Sequence, residues 1–548
     1  MCTVSLDMGL TWVLDRYVEH YYLIYRGLYV YMVGLILWVV CILYLTYKLL
    51  KKVVNYVYEL QAATGKLFDK SVDYIELSPE LSEIAININR LKQEAENNAR
   101  LAQENEQRKN DLIMYLAHDL KTPLSSVIGY LTLLHDDEQQ ISQELREKYL
   151  SISLDKAERL EDLINEFKEI FKYDGEVETF FSPGRVNLIG EHTDYNGGFV
   201  FPCALDFGTY AVVKKREDKV FRMYSKNFKN LGTIEFNLDN LVYNKKDNWA
   251  NYPKGVVKTF LDKAYKIDSG FDVLFYGNIP NGAGLSSSAS IEVLTAVILK
   301  DLFKLDVDMV EMVKMCQVAE NKFIGVNSGI MDQFAVGMGK KDHAILLDCN
   351  TLKFEYVPVK LKNMSIVIAN TNKKRGLADS KYNERRSSCE EAVKVLNDNG
   401  VNIKYLGELT VAEFDKVKHF ITDEEQLKRA THAVSENERA KVAVEFLKKD
   451  DIAEFGRLMN QSHISLRDDY EVTGIELDSL VEAAWEEEGT VGSRMTGAGF
   501  GGCTVSIVEN DHVENFIKNV GKKYKEKTGL RATFYIANIG DGAGRYIK

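Results

Sequence analysis

Four short stretches of this chain gather side chains that can do chemistry. GEHTDYNGG, Gly190 to Gly198, sets Glu191, His192, Asp194, Tyr195 and Asn196 beside three glycines. Each carboxylate can accept from two hydroxyl groups, so the loop suits a polyhydroxylated ligand; a plain polar turn would not call for so dense a set. NIPNGAGLSSSASIEVLTAVIL, Asn278 to Leu299, runs from a glycine-rich turn through three serines into an apolar helical pattern. Free backbone N–H groups and the dipole at such a helix start cradle phosphate, and serine hydroxyls there can hold Mg2+. No Gly-Lys-Ser or Gly-Lys-Thr follows, so the loop is not of the Walker type. AENKFIGVNSGIMDQFAVGMG, Ala319 to Gly339, places Glu320 twelve residues before Asp332. Phosphoryl transfer asks one group to hold a charge-neutralising metal and another to face the attacking hydroxyl, and these two carboxylates allow that division. GSRMTGAGFGGCTVSIV, Gly492 to Val508, is a second glycine-rich turn, entering a β-branched strand. Its glycines permit close backbone approach to a ligand or to the first phosphate loop.

A fifth stretch carries different chemistry. In LIMYLAHDLKTPLSSVIGYLTLL, Leu112 to Leu134, Pro123 lies just past His118 and Asp119. Proline bends a helix there and leaves the imidazole of His118 on an accessible face, where a ring nitrogen can accept a phosphoryl group. A second helical pattern follows from Ser142 to about Phe171.

The elements that position these groups begin with Leu28 to Tyr47, an uncharged run about as long as a membrane-crossing helix needs. Lys48, Lys51 and Lys52 follow it and Asp15 and Glu19 precede it, so the positive-inside rule places everything after Tyr47 in the cytoplasm. The preceding TWVLDRYVEHYYLIYRG is too polar for a second span and lacks the basic start and cleavage site of a signal peptide. From Lys48 to Gln107 the chain is charged and helical in character. Ile84, Ile88, Leu91, Ala95 and Ala102 give a weak coiled-coil seam, and Asn98 and Asn105 on it leave a solvated connecting helix as the other reading.

A length of 548 residues allows several domains, each with its own core. The net charge of −12, with no basic block able to track a phosphate backbone, excludes nucleic acid as a partner. Seven scattered cysteines with no C-x-x-C pair read as buried or incidental thiols in a reducing compartment.

YLAHDLKTPLSSVIGYLTLL and LDKAERLEDLINEF resemble the dimerisation and phosphoacceptor domain of sensor histidine kinases, the vancomycin-resistance sensors in particular. The resemblance makes His118 the phosphoacceptor and Asp119 its acid/base neighbour, and implies a homodimer through the hairpin and a response regulator as partners. It stops at about Phe167. The asparagine and glycine boxes of a histidine-kinase ATP domain are missing from the residues that follow, and the late GDGAGRY has no domain after it.

From Lys168 onward the chain resembles the GHMP small-molecule kinase superfamily and, within it, the galactokinase family. PGRVNLIGEHTDYNGG matches the sugar signature, PNGAGLSSSAS the ATP loop, GIMDQF the catalytic segment and TGAGFGGC the C-terminal loop. The resemblance implies an α/β kinase of two lobes, the second ferredoxin-like, with the active site between them. It makes Asp332 the base toward the sugar C1 hydroxyl, or the group that orients it, and Arg185 the neighbouring charge. Sugar contacts fall on Glu191, His192, Thr193, Asp194 and Tyr382. ATP falls on Ser225 and on Gly282, Ala283, Gly284, Leu285, Ser286, Ser287 and Ser288, with Mg2+ on Ser288 and Glu320.

The expected organisation is a stub at 1–27, a transmembrane helix at 28–47, a connector at 48–107, the phosphoacceptor hairpin at 108–167, and kinase lobes at 168–360 and 361–548. The expected activity is ATP-dependent phosphorylation of galactose on a membrane-anchored chain. The alternative is a membrane sensor working through His118, with the second half as its sugar-binding module. The switch at Phe167–Lys168 falls within a helical pattern without a Pro/Gly/Ser linker. Recombination leaves such a seam, and so does faulty assembly of a sequence.

Overall fold

The computed structural model describes residues 4–66, 74–90, 93, 158–280, 284–373 and 378–546. His118 and Asp119, with most of the expected hairpin, lie outside these residues, as do Gly282 and Ala283. The chain forms two units, residues 1–118 and 119–548.

In the first unit a single helix, α1, runs from Val4 to Lys66. Its stretch Met32–Gly65, whose most apolar 18 residues have a mean hydropathy of 2.1, is long and apolar enough to cross a membrane by length and composition. The segment 48–107, expected to be helical, departs from that pattern at 74–78. Ser78 takes φ −54 and ψ 151, because a residue before proline is driven out of the helical region, and Pro79 opens a short 3-10 turn. A second helix, α2, covers residues 82–90. The link is tied down by Glu59, which accepts from the Ser78 amide at 3.2 Å and hydroxyl at 2.5 Å, and by Asn89, which exchanges two 2.9 Å bonds with Ile75.

The second unit opens with α3, residues 158–171. Leu160, Leu163, Phe167 and Phe171 recur at the spacing of one helix face and are all buried. Leu163, Phe167 and Phe171 pack on Tyr210, Val212 and Leu274. The border expected between Phe167 and Lys168 therefore falls inside a helix whose residues on both sides of it share one buried face.

After α3 come β1 Glu178–Asn187, β2 Phe199–Val200, β3 Pro202–Lys215, β4 Val220–Ser225, β5 Ile234–Asn237, α4 Asn251–Asp262, β6 Phe271–Gly277, α5 Ser287–Phe303, α6 Met309–Val318 and α7 Met331–Met338. Then follow β7 His343–Asp348, β8 Phe354–Pro358, β9 Met364–Asn370, α8 Ala378–Asp398, α9 Val411–Val417, α10 Glu424–Lys448, α11 Ile452–Asp468 and α12 Gly474–Trp485. Last are β10 Thr490–Thr496, β11 Cys503–Glu509, α13 Val513–Thr528, β12 Thr533–Ala537 and β13 Gly544–Arg545.

The strands form a six-stranded sheet in the order β13-β1-β3-β6-β4-β5, a four-stranded one in the order β10-β11-β9-β12, and a small sheet β2-β7-β8. Alternation along β3 sends Tyr210 and Val212 to the α3 side and Ala211 and Val213 to the opposite core with α4, α5 and α6. In the antiparallel four-stranded sheet, Val367, Ala369 and Val508 meet α12 and α13 on one face. Ile366, Ile368, Val505 and Ile507 join a shared core with α10, α11 and β1 on the other. These are the two α/β lobes expected, the second of ferredoxin type.

Candidate active site

The lobes meet around a cavity of about 370 Å³, lined among others by Arg185, Glu191, His192, Asp194, Ser288, Glu320, Asp332 and Tyr382. Asp332 enters it from the first turn of α7, where the helix N-terminus favours a negative charge. One of its oxygens accepts from Arg185 Nε at 2.8 Å and lies 2.7 Å from Nη2; the other accepts from the Ser286 hydroxyl at 2.6 Å. Arg185, buried at a bulge in β1, also donates to the Gly284 carbonyl at 2.6 Å, so one guanidinium joins the acid to the glycine-serine turn. Ser286 sits in the left-handed region at φ +62, just before α5, with its hydroxyl given to Asp332, and leads Ser287 and Ser288 into the first turn. Gly497 of the second glycine loop faces this turn so closely that a Cβ on it would lie 2.9 Å from the Gly284 carbonyl.

The polyhydroxyl loop is held from several sides. Glu191 accepts from Arg494 at 3.0 Å, from Asn187 at 3.3 Å and from the Gly497 amide at 3.0 Å. Burial pushes its carboxyl up to about 7 despite Arg494 and Arg185 nearby. His192 contacts the Tyr195 hydroxyl through Nδ1 at 2.8 Å, and burial pushes its imidazole down to about 3, so it is neutral at physiological pH. Asp194 is pushed up to about 6, first by burial and then by the charge of Asp332. Gly329 makes room for it: a Cβ there would fall 1.7 Å from Asp194 Oδ2. Tyr382 of α8 stacks edge-on against Tyr195 and tilts over His192, with ring centroids 5.3 and 5.7 Å apart. Thr193 departs from the expectation of a ligand contact. Its hydroxyl is buried against the Gly190 and Phe199 carbonyls at 2.8 and 2.7 Å, where it braces the loop, and it does not line the cavity.

Glu320 lies in a π-turn, Ala319–Ile324. One oxygen accepts from Ser328 at 2.6 Å and from Gln333 at 2.7 Å, Ser288 also bonds to the carboxylate, and burial raises its pKa. With Ser288 it offers an all-oxygen donor set, the kind a hard cation such as Mg2+ takes. Among the described residues no group of three or more His, Cys, Asp or Glu could hold a metal by itself. A cation held here would therefore draw most of its ligands from a substrate and water.

Ser287 and Ser288 also line a second cavity of about 490 Å³, walled by Phe228, Tyr243, Trp249 and Ile291. Ser225, at the end of β4, belongs to this cavity rather than the first. Sequence reasoning did not single out Gln333, whose amide links Glu320 to the fully buried Glu292, nor Arg494, nor His432, Glu436 and Asn437 of α10. Gln333 directly follows Asp332, but the α10 residues act only through a loop more than two hundred residues away, and no local pattern announces that.

This arrangement is that of a GHMP-type small-molecule kinase. The GHMP kinases N terminal domain profile matches residues 251–340 and the C terminal one residues 443–526. The galactokinase galactose-binding signature matches residues 165–215. The galactokinase of Fusobacterium nucleatum is 90% identical over 386 residues, which is 70% of this chain and 99% of that protein. That of Clostridium acetobutylicum is 64% identical, over 70% and 99% respectively. The crystal structure of Lactococcus lactis galactokinase complexed with galactose superposes with a TM-score of 0.69 at 51% identity, over 70% of this chain and 99% of that one. The chain belongs to the galactokinase family. Upstream, the His Kinase A phosphoacceptor profile matches residues 108–176 and overlaps the galactose signature by about the second half of α3.

Proposed function

We propose that the two cavities form one site in which the chain phosphorylates galactose with ATP at the C1 hydroxyl. The observation that carries this reading is Asp332, fixed by Arg185 and Ser286 at the mouth of the glycine-serine turn. Galactose occupies the first cavity, with Asp194, His192 and Tyr382 toward its hydroxyls. The nucleotide base occupies the aromatic-walled second cavity beside Ser225, and its phosphates run along the turn to the start of α5, where N–H groups and the dipole receive them. The C1 oxygen attacks the γ-phosphorus, its proton passes to Asp332, and the bond from phosphorus to the ADP oxygen breaks. Arg185 offsets the charge that develops on the phosphoryl oxygens. Mg2+, held by Ser288 and Glu320, would neutralise the phosphates. Galactose-dependent release of ADP by the full-length chain tests the assignment. We expect it to fall by at least roughly a hundredfold in Asp332→Ala, the scale of a lost general base; near-normal turnover in Asp332→Asn would sink the role of base and leave only orientation of the hydroxyl.

The phosphoacceptor profile over residues 108–176 favours a second reading, in which His118 exchanges a phosphoryl group and galactose binding modulates it. Labelled phosphate on His118 that depends on galactose would support that reading.

A further inference from the structure

The loop that carries Glu191 and Asp194 belongs to the first lobe, yet its backbone is fastened by one helix of the second. Glu436, fully buried on α10, accepts from the Gly190 amide at 2.9 Å and the Glu191 amide at 3.3 Å through one oxygen. The same oxygen accepts from the Ser462 hydroxyl at 2.5 Å, and the other pairs with Arg439. Four residues before it, His432 Nε2 lies 3.1 Å from the Glu191 carbonyl, which can only accept, so this nitrogen carries the hydrogen. One residue after it, Asn437 accepts from the Phe199 amide at 2.8 Å and donates to the Gly407 carbonyl at 2.9 Å. Positions 432 and 436 are one helical turn apart on a single face, so α10 grips the loop at its entry, at Glu191 itself and at its exit.

The grip holds a conformation the chain does not adopt freely. Gly190 is at φ +89, and His192, two residues on, is a non-glycine residue at φ +61. A left-handed backbone of this kind persists when its surroundings over-determine it, and three side chains on α10 do so here. With the amides of Gly190 and Glu191 claimed by Glu436, the Glu191 side chain is left to Arg494, Asn187 and Gly497, and Asp194 lines the cavity.

We propose that Glu436, with His432 and Asn437, is a positioning residue for the sugar site: α10 presets the loop in its ligand-binding shape from the opposite lobe. The proposal rests on the reading of Glu191–Asp194 as the galactose loop. None of the three residues lines the cavity. Their effect must therefore appear as a change in galactose affinity and not in the chemical step.

The test is steady-state kinetics on the full-length chain, with galactose and ATP varied separately, for Glu436→Gln, Asn437→Ala and, as a control in the loop itself, Asp194→Ala. A charge-assisted hydrogen bond is involved, so in Glu436→Gln we expect galactose KM to rise roughly tenfold or more, with kcat and ATP KM within about twofold. Asn437→Ala should give a smaller shift in the same direction. The increase in Tm that saturating galactose gives should shrink in both variants, and this readout does not depend on turnover. If Asp194→Ala raises galactose KM while both α10 variants leave it unchanged, the positioning role is overturned and the reading of the loop survives. If Asp194→Ala also leaves it unchanged, the reading of the loop falls, and the proposal with it. A fall in kcat with both KM values unmoved, at a lowered Tm, would make α10 a merely structural element and overturn the proposal as well.

Discussion

Asp194 and Asp332 share one cavity, and the charge of the second makes ionisation of the first harder. A carboxyl whose pKa is raised by folding adds stability that is fully present below about pH 4 and is lost as pH climbs through its folded value, about 6 for Asp194. Asp194→Asn cannot ionise and removes this pH dependence. Its Tm relative to the unsubstituted chain is expected to rise between about pH 4 and pH 6 and to level off above that, and thermal melts from pH 4 to pH 7 that keep a constant difference would refute the shift. Galactose affinity should move the opposite way, because the ionised form makes the stronger, charge-assisted bonds to hydroxyls: KM rises as pH falls through about 6, and the Asn variant, weaker throughout, loses that slope. At this scale the sequence was highly legible. The motif GEHTDYNGG named Glu191, His192 and Asp194, which all line the cavity, because density of polar groups beside glycines is a local signal. Thr193 stood in the same motif but faces inward, since adjacent positions of a tight loop point in different directions and spacing alone does not say which.

Among the elements, α3 carries the sharpest consequence. Phe167 is fully buried, 4.8 Å from the Phe171 ring, within the cluster that covers the outer face of the six-stranded sheet. Replacing it with alanine should cost about 3–5 kcal/mol, as large aromatic truncations in cores do. Galactokinase activity of Phe167→Ala should then be lost at a clearly lower temperature than that of Glu169→Ala, which alters the exposed side of the same helix. Equal inactivation temperatures would mean that α3 is dispensable to the kinase fold. In the sequence this helix reads equally well as the end of a histidine-kinase hairpin, because both uses need the same apolar spacing. Only the partner buried against it tells them apart. α10 was illegible for a related reason: its polar residues serve a distant loop, and a buried Glu looks like an exposed one until the fold brings its donors to it.

For the whole molecule, the two lobes and the ferredoxin-like arrangement of the second could be anticipated because four motifs, each local, fall in a recognisable order. The membrane question turns on α1, which is a candidate span by length and composition. Within α1 the uncharged run 28–47 is followed by Lys48, Lys51 and Lys52, and if that run spans a membrane the positive-inside rule keeps the kinase on the cytoplasmic face. Galactose-dependent ADP release should then sediment with washed membranes and resist extraction by high salt, whereas activity that remains in the supernatant with the intact chain would argue against an anchor. The six-stranded sheet adds a constraint of timing. Its edge strand β13 pairs Arg545 with Phe180 and Gly544 with Phe181, and Tyr546 packs on Phe181 and Tyr210. A ribosome delivers β1 early and β13 only after every other described strand, so the six-stranded sheet stays open at that edge until both lobes have been made. The first lobe thus cannot complete its sheet ahead of the second, although its other strands are made first.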